Sequence, residues 1–134
     1  MTGTMRVITT DELKALLERE APANESESGG YALVDVLSPD HFRAGHIPGS
    51  INIPLGDIPL DNNGRYLQLF GKDKKIIVYS ASPLCELSTK AANQLRVMGY
   101  SDILDYSGGL NDWKSAGNAV EQETGSVTPA AESR

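Results

Sequence analysis

The clearest pattern in the chain lies at residues 76–99. Ile76, Ile77, Val78 and Tyr79 run apolar without alternation, which suits a strand covered on both faces. Ser80 to Cys85 are small and polar with one proline and read as a loop. From Glu86 the pattern turns helical: Leu87, Ala91, Leu95 and Met98 recur at three- and four-residue steps, and Gly99 supplies a stop.

The same alternation precedes and follows this segment. Arg6-Val7-Ile8 reads as a short strand. Thr9 and Glu12 are spaced as a capping box for a helix to about residue 20, with Leu13, Leu16 and Leu17 on one face. Residues 24–30 are polar and acidic and read as a loop. Tyr31 to Val36 predicts a strand. Ser38-Pro39-Asp40 starts a short helix that ends at Gly45, and His41 falls on its exposed face. Ile51-Asn52-Ile53 predicts a third strand, closed by Pro54. Residues 61–64 form a turn cluster, and Tyr66 to Phe70 predict one or two helical turns. Ile103-Leu104-Asp105 is the last strand, and Gly108-Gly109 turns into a helix holding Leu110 and Trp113. Strands alternating with helices predict an α/β fold, a parallel sheet with helices on both faces.

At 134 residues and 40% hydrophobic, the chain suits one domain with a real core. The domain is expected over residues 1–118. Residues 119–134 lack periodicity and read as a disordered tail. A net charge of −6 argues against nucleic acid or an anionic membrane as partner. No apolar run spans a bilayer, and the N-terminus lacks the regions of a secretion signal, so a cytoplasmic location is expected. The single cysteine excludes an internal disulfide and a cysteine-based zinc cage, and nothing in the pattern calls for a metal or cofactor.

That cysteine, Cys85, falls at the start of the helix that follows the central strand. A loop there lies at the carboxyl end of a parallel sheet, where open α/β folds bind ligands. Unpaired N–H groups at a helix start favour a thiolate and lower a thiol pKa. A cysteine there also serves equally as a small buried hydrophobe.

Three stretches resemble the rhodanese-like family. Val34-Asp35-Val36 with His41-Phe42-Arg43-Ala44-Gly45-His46-Ile47-Pro48-Gly49-Ser50-Ile51-Asn52-Ile53-Pro54 is similar to its amino-terminal signature. Tyr106-Ser107-Gly108-Gly109-Leu110-Asn111-Asp112-Trp113 is similar to its carboxyl-terminal motif, and Tyr79 to Ala92 stands in the place of the active-site loop. The resemblance implies a five-stranded parallel sheet of rhodanese type and transfer of sulfane sulfur through a cysteine persulfide.

The active-site stretch departs from the family pattern. The family nucleophile directly follows the central strand, and that position is Ser80. A serine hydroxyl is un-ionised at neutral pH and makes no stable persulfide equivalent. The arginine that commonly ends the family's loop is absent, and Asp35-Val36-Leu37 replaces Asp-Val-Arg. If the family chemistry operates, Cys85 carries the sulfur. Ala81, Ser82, Pro83, Leu84 and Glu86 then line the substrate loop.

Glu86 opposes a thiolate, Pro83 removes one N–H, and Lys90 is the nearest cation in sequence. Thiosulfate is therefore expected to be poorly received, and a neutral or protein-borne persulfide less affected. Without an arginine, nothing grips a phosphate bidentately, which argues against the related phosphatase chemistry. Two functions follow. One is a sulfurtransferase or persulfide carrier, with a small sulfur donor or a protein thiol as partner. The other is a catalytically inactive binding or regulatory module. Asp35, His46, Gly49, Gly108, Gly109 and Trp113 are expected to be structural: backbone tethers, turn formers and a core anchor.

Overall fold

The computed structural model describes residues 5–20, 30–58, 74–82 and 84–122. Strands and helices among the described residues follow in the order β1 (Met5–Val7), α1 (Thr10–Arg19), β2 (Tyr31–Asp35), α2 (Pro39–Ala44), β3 (Ile51–Asn52), β4 (Lys75–Tyr79), α3 (Leu87–Val97), β5 (Asp102–Tyr106) and α4 (Gly109–Ser115). A single 3-10 turn at Leu55–Asp57 follows β3. Residues 24–29 of the loop expected at 24–30, the turn cluster at 61–64 and the helical turns at 66–70 lie outside the described residues.

The five strands form one sheet in the order β1-β5-β4-β2-β3, and every pair is parallel. Strand β4 lies at its centre. All of Ile76, Ile77, Val78 and Tyr79 are buried, as a strand covered on both faces requires.

Alternate residues feed two cores. Ile76 and Val78 join Ala32, Val34 and Ile103 under Ala91, Ala92 and Leu95 of α3. Ile77 and Tyr79 join Leu33, Leu104 and Tyr106 on the opposite face, covered by Leu13 and Leu16 of α1 and Trp113 of α4. The fold is α/β with helices on both faces.

Local signals set the helix ends. The Thr9 hydroxyl accepts the Glu12 N–H at 3.1 Å, and the Thr9 N–H donates to the Glu12 carboxylate at 2.8 Å, completing the capping box. Ser38 caps α2, with Pro39 in its first turn.

Ordered pairing extends past the expected domain boundary at residue 118. His46 and Glu121 form an antiparallel bridge with two backbone hydrogen bonds of 2.8 Å, and the Trp113 indole N–H donates to the Ala119 carbonyl at 2.7 Å. Residues 119–122 therefore belong to the domain. Their missing periodicity reflects one bridge, too short to leave a pattern. Residues 123–134 lie outside the described residues.

Candidate active site

The loops leaving β2 and β4 turn to opposite faces of the sheet. After β2 the chain packs Ile47 against Tyr79 on the α1/α4 face; after β4 it enters α3 on the other. A crevice where neighbouring parallel strands send their loops apart is the usual ligand site of an open α/β sheet. The loop at residues 80–85 occupies it.

Ser80, at the family nucleophile position, has no exposed surface. Its hydroxyl donates to the Cys85 carbonyl at 3.3 Å, so it braces the loop from within. The Cys85 N–H donates to the Ser82 carbonyl at 3.0 Å and closes the loop on itself. Helix α3 then starts from Glu86, whose carbonyl accepts the Lys90 N–H at 3.0 Å. The Asp105 carboxylate takes the Thr89 hydroxyl at 2.9 Å and ties the helix start to β5. Pro83 lies outside the described residues.

The Cys85 side chain is half-buried. Burial pushes the thiol pKa up. The Leu87 and Ala81 N–H groups favour the charged form and pull it down, while the Glu86 charge works against them; the net direction is below the ordinary thiol value. Leu84, next in sequence to the thiol, is 94% exposed.

The loop is also held from behind. The N–H groups of Leu110 and Asn111, in the first turn of α4, donate to the Ser80 and Ala81 carbonyls at 2.9 and 2.8 Å. Gly109 has φ +71°, and a Cβ there would lie 2.7 Å from the Ser80 oxygen and the Ser82 nitrogen. The glycine pair does more than supply turn dihedrals. Gly108 has a helical φ of −62°, and Gly109 is required by its close approach to the loop as well as by its own conformation. Leu110 and Asn111 serve the site through backbone atoms alone, which side-chain identity does not disclose. A Gly-Gly pair opening a helix was the available signal.

The remaining motif residues make contacts within the fold. Asp35 accepts the Leu37 N–H at 2.8 Å. The His46 Nδ1–H donates to the Phe42 carbonyl at 2.8 Å, and its ring stacks on Phe42 at 3.8 Å. Gly49 makes its turn at φ +87° with nothing within 4 Å of a would-be Cβ. Trp113 is buried in the α1/α4 core. A cavity of about 500 Å³ opens at the carboxyl ends of β1 and β5, lined by Thr9, Thr10, Tyr106 and Asp112 among others; its lining includes no residue of loop 80–85. Among the described residues, no group of acidic, His and Cys side chains could hold a metal ion, and no helix is long and apolar enough to cross a membrane.

Comparison with known proteins agrees with this architecture. A family model for the rhodanese-like domain matches residues 9–116. The HTH-type transcriptional regulator Rv0324 of Mycobacterium tuberculosis is 32% identical over 96 residues, which are 72% of this chain and 40% of that protein. The crystal structure of the Alr3790 protein from Anabaena superposes with a TM-score of 0.70 at 30% identity, covering 86% of this chain and 91% of that one. The thiosulfate sulfurtransferase of Pseudomonas aeruginosa superposes with a TM-score of 0.66 at 30% identity, covering 89% of this chain and 20% of that one. The chain thus spans less than half the length of the regulator and of the sulfurtransferase. By fold, motifs and matched length, it belongs to the rhodanese-like domain family.

Proposed function

We propose that this domain carries sulfane sulfur as a persulfide on Cys85. The reaction is two displacements. The Cys85 thiolate attacks the outer sulfur of a donor persulfide. The donor S–S bond breaks, the donor leaves as a thiolate with the electron pair, and Cys85 holds the extra sulfur. An acceptor thiolate then attacks that sulfur and releases the Cys85 thiolate. Each bond formed replaces one broken, so no outside oxidant or reductant is needed.

The observation that carries this reading is the set of donors around the sulfur. The Ala81 and Leu87 N–H groups favour the thiolate, the attacking form. The likeness to a thiosulfate sulfurtransferase supports the reaction class. The loop holds no cation, and Glu86 stands beside the thiol, so a dianion such as thiosulfate is disfavoured. The donor that fits is a neutral or protein-borne persulfide, and exposed Leu84 offers such a protein an apolar contact next to the thiol.

A second reading rests on Ser80. The family's nucleophile position is a buried hydroxyl spent on the loop backbone, as in a binding module without chemistry. Transfer kinetics from a low-molecular-weight persulfide to a thiol acceptor separate the two. We expect turnover by the parent protein and by Ser80→Ala, and none by Cys85→Ala. Equal background rates for all three would favour the binding module.

A further inference from the structure

We propose that the first turn of α4 positions the Cys85 thiol by gripping the Ser80–Ala81 peptide from behind. The inference rests on the reading of Cys85 as the working thiol.

A trans peptide points its C=O and N–H to opposite sides of one plane. Leu110 donates its N–H to the Ser80 carbonyl, on the α4 side. The Ala81 N–H of that same peptide must then point away from α4, toward the side of the loop that Cys85 closes, where it favours the thiolate. The chain Leu110 N–H, Ser80 C=O, Ala81 N–H, Cys85 sulfur is therefore one relay, in which each hydrogen bond polarises the next. The Asn111 N–H on the Ala81 carbonyl stops the next peptide from rotating. Gly109 makes the grip possible, because a Cβ at that position would meet Ser80 O, Ser82 N and Ala81 C, all backbone atoms, at 2.7 to 2.8 Å. Leu110 and Asn111 touch no reacting atom, so they and Gly109 are positioning residues.

The charged groups on the elements around the loop are Lys75 on β4, Lys90 and Arg96 on α3, Asp102 and Asp105 on β5, and Asp112 and Lys114 on α4, with Glu86 just before α3. Of these, Glu86 is the one whose charge bears on the thiol. The relay works without a cation.

The glycines supply a matched control. Gly117 also has positive φ, +85°, but nothing lies within 4 Å of a would-be Cβ. Gly109→Ala and Gly117→Ala therefore share the backbone strain, and only the first pushes on the loop. Iodoacetamide alkylation of Cys85, followed from neutral to alkaline pH, reads the thiolate directly. We expect Gly109→Ala to slow neutral-pH alkylation by at least about threefold, a fraction of one charge-assisted hydrogen bond. Its pH profile should move to higher pH, and Gly117→Ala should keep the parent profile. A folded Gly109→Ala with the parent profile overturns the proposal.

Should Gly109→Ala fail to fold, amide shifts in the nitrogen-15-labelled parent protein decide. The Ala81 and Leu110 amides should titrate together at the midpoint of Cys85 alkylation, and both should stop titrating in Cys85→Ser. A Leu110 amide that stays flat while Ala81 moves overturns the relay. These measurements follow protonation and not sulfur transfer, so a failed transfer assay leaves their outcome intact.

Discussion

The hydroxyl of Tyr79 accepts the Ile47 N–H at 3.0 Å, deep under the loop that follows α2. The Ser50 hydroxyl donates its one proton to the Ile47 carbonyl at 2.6 Å, so at 2.9 Å it is Tyr79 that donates to Ser50. One phenol thereby ties the β2–β3 connection to the central strand, a single residue before the active-site loop. Burial, reinforced by the charge of Asp35, pushes its pKa far above the ordinary range and keeps the proton in place.

Tyr79→Phe removes this tie and leaves a buried Ile47 N–H without its partner. The expected loss of stability is about 1–3 kcal/mol, the cost of an unsatisfied buried donor. Urea denaturation of the two proteins checks it, and equal midpoints would contradict it.

Asp35 pairs in register with Tyr79 across β2 and β4. Burial raises its pKa above the ordinary 3.8, despite the Leu37 N–H that favours the charge. The folded state therefore binds the proton more tightly than the unfolded chain does. Its stabilising contribution is full below the unfolded pKa and is lost as pH rises through the folded one. Asp35→Asn keeps an acceptor for Leu37 and cannot ionise. The parent protein should lose stability relative to this variant as pH rises from acid toward neutral. Urea melts at the two ends of that range read the gap, and a gap independent of pH would contradict the assignment.

Glu86 is the group that works against the thiolate. Glu86→Gln should speed neutral-pH alkylation of Cys85 by about twofold to fivefold, the worth of one exposed charge interaction. High salt should shrink the difference. An unchanged or slower rate would show that the Glu86 charge does not reach the sulfur.

Truncation locates the domain's end. A chain stopped after residue 118 loses both backbone bonds between His46 and Glu121 and the Ala119 acceptor of Trp113. It should unfold at lower urea than a chain stopped after residue 122, by about 2–4 kcal/mol for three hydrogen bonds. Matching stabilities would restore the boundary at residue 118.

Much of this fold was legible because it follows from local rules. Ile76 to Tyr79 had to be a strand covered on both faces, since an unalternating apolar run has no face for water. Thr9 with Glu12, and Ser38 with Pro39, name their helix starts by satisfying donors that would otherwise be orphaned. The position of Cys85 at the α3 start was legible for the same reason.

What escaped depends on contacts between distant backbones. Glu121 bridges to His46, far away in chain order, and no periodicity records a one-residue bridge. The grip of Leu110 on Ser80 uses only main-chain atoms. The internal orientation of the Ser80 hydroxyl, toward Cys85 and away from solvent, is set by the loop's closure and not by the identity of the residue.

The central claim is that Cys85 takes up sulfane sulfur, and intact mass after exposure to a persulfide donor tests it most directly. The parent protein should gain one sulfur atom that dithiothreitol removes, and Cys85→Ala should gain none. Thiosulfate should load the same site much less well. A parent protein whose mass never changes with any persulfide donor, while its thiol still alkylates normally, would contradict the claim and leave a rhodanese-like domain that binds without transferring sulfur.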